Sequence, residues 1–135
     1  MLTALPLRLI PGQDLRIALT DFFTKHQITA GFVLQGIGSL SVARLRYAGC
    51  ATMTELQGNL EILTLAGTLS RDGAHLHMSV GDSAGNVIGG HVGTGCLIRT
   101  TAEILIAVLP AHHFGREPDQ QTGFDELVIR DAGAT

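Results

Sequence analysis

The sequence predicts a domain of the α/β class, α+β in type, that combines a mostly antiparallel twisted sheet with one main N-terminal helix. One stretch near the N-terminus has the apolar periodicity of an amphipathic helix, and glycines divide the rest into short runs of alternating or continuous apolar residues. The length of 135 residues is the usual size of one domain, so we expect residues 1–135 to form a single unit.

The first predicted elements are a short strand and the helix. Leu5–Ile10 has the composition of a strand, and Pro6 suits an edge position, where its missing N–H does no harm. Pro11-Gly12 interrupts the chain, and Asp14 is a candidate helix N-cap. The residues that follow recur at intervals of three and four: Leu15, Ala18, Leu19, Phe22 and His26.

The remaining sequence predicts strands. The strand-like runs are, in chain order, Gly31–Gly38, Val42–Ala48, Leu60–Leu69, Ala74–Gly81, Asn86–Gly93 and Leu97–Leu109. We interpret Gly36-Ile37-Gly38-Ser39 as a turn between the first two runs. The polar stretch Ala111–Gly123 is predicted to be a long surface loop, a kind of segment that is often functional. A last short strand is expected at Leu127–Ile129.

The most informative segment is the hairpin predicted between the runs 74–81 and 86–93. A three-residue hairpin loop needs a left-handed residue at its last position, and in Ser83-Ala84-Gly85 the glycine supplies it. Counting outward from the loop sets the imidazoles of three residues on one side of the ribbon: His75, His77 and His91.

The sequence itself supports this register. A slip of one residue would bring Ile88 and Val92 onto the histidine face. In the predicted register the reverse face is wholly apolar, and small residues leave open volume beside the imidazoles: Ser79, Gly89 and Gly93.

Three histidines in this arrangement are typical of a transition-metal site. Neutral imidazole binds zinc, iron, copper or nickel, and three protein ligands with one position open to water characterise a reactive site rather than a structural one. Zinc is the ion we expect. The alternative is a hydrogen-bonded histidine cluster at a subunit interface, with pH sensitivity as a by-product.

Composition restricts the partners. The net charge of −3 and pI near 6.0 provide no global attraction to nucleic acid or anionic lipid. Ile104–Pro110, the longest apolar stretch, is far shorter than the roughly 20 residues of a membrane helix. Met1–Gly12 lacks the basic start of a secretory signal, so we expect a cytoplasmic protein.

Arg44 and Arg46 share a strand face that is either solvated or a patch for an anion or nucleic acid.

Several motifs together resemble one known family. They are Gly36-Ile37-Gly38-Ser39, Glu61-Ile62-Leu63, Gly67-Thr68-Leu69-Ser70, Asp72-Gly73-Ala74-His75-Leu76-His77, Gly89-Gly90-His91 and Thr101-Ala102-Glu103. Their order and spacing resemble the plants-and-prokaryotes conserved (PPC) domain, which follows AT-hooks in plant nuclear proteins. The resemblance implies a homotrimeric α/β domain with a DNA-binding designation in prokaryotes. It also implies that the family's three histidines, a metal site in some members, are His75, His77 and His91.

Two classes of function follow. The first is a non-enzymatic, trimeric regulatory module whose partner is DNA or a protein, although the sequence contains no AT-hook core Arg-Gly-Arg-Pro. The second is a metal-dependent enzyme or small-molecule sensor in which the ion activates water or polarises a carbonyl. The sequence does not identify a catalytic residue. Candidates to assist the metal site are Glu103, His113, Arg116 and Glu117.

Overall fold

The computed structural model describes residues 1–133, which form one helix and eight strands. In chain order these are β1 (Thr3–Leu9), α1 (Leu15–Lys25), β2 (Gly31–Arg46), β3 (Thr54–Ser70), β4 (Gly73–Gly81), β5 (Val87–Val92), β6 (Leu97–Val108), β7 (His112–Pro118) and β8 (Asp125–Asp131). All strand pairings are antiparallel, which confirms the predicted fold class. Within the described part of the chain, α1 is too short to cross a lipid bilayer.

The helix begins where the sequence predicts, after the Asp14 cap, and it ends at Lys25 with His26 as its C-cap. The Asp14 side chain accepts a hydrogen bond from the backbone N–H of Ile17 at 3.0 Å, as an N-cap does. Its other carboxylate oxygen accepts the N–H of Gly95 at 2.6 Å, so this one side chain also attaches α1 to the β5–β6 connection. The helix buries one apolar face against the sheet: Leu15, Leu19 and Phe23.

Six strands form one sheet in the order β1-β6-β2-β3-β4-β5, and β7 pairs with β8 separately. The C-terminal end of β2 also pairs with β5, so that the strands from β2 to β5 form a closed ring. In this extra pairing Arg46 of β2 lies opposite His91 of β5. The closure therefore brings a guanidinium group beside one of the three histidines.

The predicted turn at residues 36–39 is wrong, because β2 runs through it as one continuous strand. The glycines here allow close approach instead of a chain reversal. A β-carbon on Gly38 would collide with the carbonyl oxygen of Thr101 in β6, and one on Gly36 would lie 3.0 Å from the side chain of Leu65 in β3. Glycine is thus used at both positions to pack β2 against its neighbours.

The predicted loop at 111–123 is also wrong over most of its length, since residues 112–118 form β7 and pair with β8. The polar composition concealed an alternation in which Phe114 is buried while its neighbours face outward. Several hydrogen bonds attach the hairpin to the rest of the domain, and two of them come from backbone N–H groups of β7. Phe114 N–H donates to the carbonyl oxygen of Thr29 at 3.0 Å, and Arg116 N–H donates to the carboxylate of Asp72 at 2.9 Å.

Candidate metal centre

The β4–β5 hairpin has the predicted register. His77 lies opposite His91, and Val80 lies opposite Ile88. Gly85 has φ +81°, the left-handed conformation that the loop requires. The carboxylate of Asp82 accepts the N–H groups of Ala84 and Asn86, each at 2.9 Å, and so holds the loop closed. The register is thus determined locally, by the turn and by the alternation of the strands.

The histidines share one side of the hairpin because alternate residues of a strand face opposite sides. Along β4, the three side chains on the other side are 4% exposed or less and belong to the core: Leu76, Met78 and Val80. His75 and His77 therefore face outward, and His91 joins them from β5. The ring centroids are 4.9 Å apart for His75–His77, 5.3 Å for His75–His91 and 5.6 Å for His77–His91.

Each imidazole offers one nitrogen to a common centre, and these three atoms lie within 4.8 Å of one another. Zinc–nitrogen bonds of about 2.0–2.1 Å in a tetrahedral site separate two ligand nitrogens by roughly 3.4 Å. A contraction of at most about 1.4 Å would gather the observed atoms around one ion. The donor set and its spacing therefore fit a zinc-type ion.

The surroundings keep two of the imidazoles neutral, which is the form that binds a metal. Burial lowers the pKa of His91 to about 4, and the nearby Arg46 guanidinium and the His75 ring contribute in the same direction. Burial is also the main reason that the pKa of His75 is lowered, followed by the charge of Arg116. Near neutral pH these two rings need not lose a proton before they bind an ion.

One buried nitrogen of the cluster lacks a hydrogen-bond partner. The Nδ1 atom of His91 is buried and forms no hydrogen bond with any residue from 1 to 133. A buried polar atom left unsatisfied costs about 1–3 kcal/mol. Coordination to an ion is one arrangement that would satisfy such a ring, so this atom also fits a metal site.

Open cavities lie on both sides of the cluster. One, of about 390 Å³, is bounded by Gly89 and Gly90 beside His77 and His91, where small residues leave space. The other, of about 430 Å³, lies between the cluster and the β7–β8 hairpin. It is lined by two of the histidines and by three arginines: Arg16, Arg46 and Arg116. A bound ion would therefore be accessible to small molecules.

The candidate assisting residues are located in different places. Arg116 and Arg46 line the larger cavity, but Arg44 is exposed outside it, with its side chain against Gly95. Glu103 lies on β6 opposite Arg8, in a separate cavity bounded by β1 and β2. His113 and Glu117 are exposed on β7 and do not line the larger cavity.

Arg16 also belongs to this site, although no sequence motif predicts it. This residue lies on α1, and its Nη1 atom donates to the carbonyl oxygen of Val92 at 3.1 Å, across 76 positions of sequence. It also lies close enough to lower the pKa values of His75 and His91. No local pattern marks such a residue, because its role depends on how the helix is placed against the end of β5.

Fold and site together define a small antiparallel α+β domain with three outward-facing histidines on one hairpin. The chain matches the family model of the Plants and Prokaryotes Conserved (PCC) domain over residues 1–110. It therefore belongs to that family, and the resemblance found in the sequence is confirmed.

The chain is also similar to individual proteins. It is 50% identical over 125 residues to the bifunctional protein GlmU of a Synechococcus strain, matching 93% of this chain but only 20% of that protein's length. A Salmonella enterica protein of known structure is 41% identical, with a TM-score of 0.96 over 98% of this chain and 96% of its own. A metal-containing protein from Archaeoglobus fulgidus is 28% identical, with a TM-score of 0.81 over 93% of each chain.

Two more distant structures show the fold alone. They come from Bacteroides thetaiotaomicron and Ralstonia eutropha, are 21% and 22% identical, and carry provisional DNA-binding designations.

Proposed function

We propose that this PPC-family domain is a metal-binding regulatory module that holds a divalent transition ion, zinc in the first instance, at His75, His77 and His91. The observation that carries the proposal is the convergence of three imidazole nitrogens within 4.8 Å. The Archaeoglobus fulgidus protein, which has the same fold and is described as metal-containing, supports it.

The chain's own residues would prepare the site for the ion. The β4–β5 ladder orients the three rings, and burial of His91 and His75 keeps them unprotonated. When bound, zinc would supply a Lewis-acid centre with a coordination position left for water or a ligand oxygen.

Elemental analysis of protein purified without a histidine tag tests this proposal. We expect stoichiometric metal in the wild type, little in the His77→Ala variant and an unchanged amount in His113→Ala. The control removes an exposed histidine on β7, outside the cluster. Absence of metal from the wild type, even after incubation with zinc followed by desalting, would overturn the proposal.

The module is proposed to act as a homotrimer. Several large apolar side chains of β2 and β3 are exposed, from 37% for Phe32 to 52% for Leu34: Phe32, Leu34, Ile37 and Leu63. A second copy of the chain would cover this face, since soluble monomers seldom expose such groups together. Light scattering should give a trimer for the wild type and for Ile129→Arg, which alters an exposed site on β8, and a smaller species for Ile37→Arg.

The module's regulatory partner is proposed to be a protein or DNA, in the cytoplasm. The net charge of −3 favours a protein partner, because phosphate contacts supply much of the affinity for DNA. The similarity to one fifth of GlmU supports an accessory role, since a related segment there belongs to a larger protein. Anisotropy titrations with duplex DNA at low and physiological salt test direct contact, and a lack of binding at both would leave the protein partner.

A second candidate function is a metal-dependent enzyme or a small-molecule sensor. The cavity of about 430 Å³ beside His75 and His91 favours it, since its volume lies in the range of small-molecule sites. Tight binding of a small molecule without turnover would identify a sensor, and turnover lost on metal removal would identify an enzyme.

A further inference from the structure

We propose that the cavity between the histidine cluster and the β7–β8 hairpin binds a small molecule through an oxyanion, a carboxylate or phosphate group held by Arg16, Arg46 and Arg116. This inference deepens the proposed function, and the affinity expected of the metal-loaded protein rests on it.

The three arginines come from separate elements and converge on one space. Arg16 lies on α1, Arg46 on β2 and Arg116 on β7, and all three are half-buried. All three line the cavity of about 430 Å³. Bringing three guanidinium groups together is electrostatically unfavourable unless a negative charge compensates for it. Compensating negative charge must therefore come from the protein, from a ligand or from both.

Their protein contacts leave most of their hydrogen-bonding capacity free. Arg16 donates to the carbonyl oxygen of Val92 at 3.1 Å, and Arg46 donates to that of Cys50 at 3.4 Å. Arg116 Nη2 donates to the hydroxyl of Thr68 at 2.9 Å. A guanidinium has five N–H donors in a fixed fork that suits carboxylate and phosphate oxygens.

None of the three arginines has a carboxylate oxygen within 4.0 Å among residues 1–133. A contrast lies on the same hairpin, where Arg130 forms an ion pair with Glu117 across β7 and β8. The guanidinium groups that line the cavity therefore remain available to an anionic ligand.

Three carboxylates also line the cavity, and they limit the affinity of the metal-free form. Asp72 accepts the backbone N–H of Arg116 at 2.9 Å, Asp125 is exposed, and Glu126 is half-buried. Together they balance the three guanidinium charges. A divalent ion at the histidines would make the cavity positive and would offer its open position to one oxygen of the ligand. Oxyanion binding should therefore be stronger in the zinc-loaded protein.

The remaining wall indicates the size and character of the ligand. Phe124, which directly precedes β8 and is 72% exposed, lines the cavity. A volume of about 430 Å³ with one aromatic wall suits the body of a small metabolite. The ligand we infer thus has an oxyanion at one end and a compact planar or apolar body at the other.

The test is isothermal titration of the full chain, metal-free and zinc-loaded, with inorganic phosphate and succinate as separate probes. Free zinc is removed beforehand, so that the ion present is bound to protein. We expect at least one probe to bind, more tightly to the zinc-loaded form. Arg116→Gln and Arg46→Gln should each weaken binding about tenfold or more, the loss of one charge-assisted contact. The better probe identifies the oxyanion class.

The matched control is Arg130→Gln, which removes a guanidinium from the same hairpin but outside the cavity. Metal content and melting temperature are measured for every variant. Zinc binding without affinity for either probe would overturn this inference alone, as would equal weakening by Arg130→Gln. Failure to bind zinc, with probe binding that still depends on Arg46 or Arg116, would overturn the metal proposal and leave the oxyanion site supported.

Discussion

His77 and His91 face each other across the β4–β5 ladder, with ring centroids 5.6 Å apart. His91 also lies opposite Arg46 of β2, because β5 is hydrogen-bonded on both sides. Its backbone is therefore held by two neighbouring strands, and its ring is held beside both a second imidazole and a cation. A ligand positioned on paired strands needs little rearrangement to bind an ion.

Zinc should stabilise the wild type against thermal unfolding. A ligand present at 100 times its Kd and bound only by the folded state adds about 2.7 kcal/mol to the free energy of unfolding. We expect a rise of several degrees in Tm, measured by scanning fluorimetry, and its reversal by a chelator. His77→Ala should show no zinc-dependent shift, whereas His26→Ala, altered at the C-cap of α1, should retain it. Equal shifts in both variants would place the zinc elsewhere.

The features that could be predicted from sequence are those determined locally. The helix has its N-cap at Asp14, and the β4–β5 hairpin combines Gly85 with alternating side chains that allow one register. The turn predicted at residues 36–39 is wrong because glycine supports either a turn or a close approach between strands. The choice depends on β6, whose Thr101 carbonyl lies against Gly38, and no local pattern of sequence reports that neighbour.

The residues of the candidate site show the same distinction between positions determined locally and positions determined by distant packing. The three histidines could be placed together because they belong to one hairpin. Arg16 could not be predicted, since its position depends on the packing of α1 against the end of β5. The sequence identifies Arg116 as a candidate, but it predicts a loop where the β7–β8 hairpin carries this residue to the cavity beside the histidines.

Acid should destabilise the metal-free protein through His91. Its pKa is about 4 in the folded protein, whereas an unperturbed histidine titrates near 6.5. The folded state therefore favours the neutral ring, and this stabilisation is complete above about pH 6.5 and lost as pH falls toward 4. His75, whose pKa is also lowered, acts in the same direction. Urea unfolding between pH 7 and 5 should show a shallower loss of stability for His91→Gln than for the wild type.

The control for this pH dependence is His113→Gln, which removes an exposed histidine on β7. Its free energy of unfolding should change with pH as that of the wild type does. The charged and titratable groups that lower the pKa of His91 are Arg46, Arg16, His75 and His77. If the free energy of unfolding changed with pH equally in the wild type and in His91→Gln, the fold would not be holding this ring neutral.

The close approach of β2 to β6 predicts that Gly38→Ala is destabilising. The added methyl group would meet the backbone of Thr101 and Ala102, which cannot move aside as a flexible side chain can. Overpacking of this kind costs about 1–3 kcal/mol. Gly81→Ala is the matched control, since its methyl group would make an ordinary contact of 3.4 Å with Leu63. Urea unfolding should show a clear loss in the free energy of unfolding for Gly38→Ala only. Equal stability of Gly38→Ala and Gly81→Ala would contradict this account of the packing.

The way the β7–β8 hairpin is attached predicts that β7 can be loosened without loss of the bound metal. The Asp72 carboxylate accepts the N–H of Arg116 at 2.9 Å, and this bond connects the hairpin to the start of β4 next to His75. Asp72→Ala should free this part of β7, so that amide hydrogen exchange rises there, while zinc content stays unchanged because no metal ligand is altered. Glu117→Gln, which removes only a surface ion pair of the hairpin, should leave that exchange nearly unchanged. If Asp72→Ala instead lost its zinc, the hairpin would be required to hold the histidines in place, and the cavity and the metal centre could no longer be treated as separable.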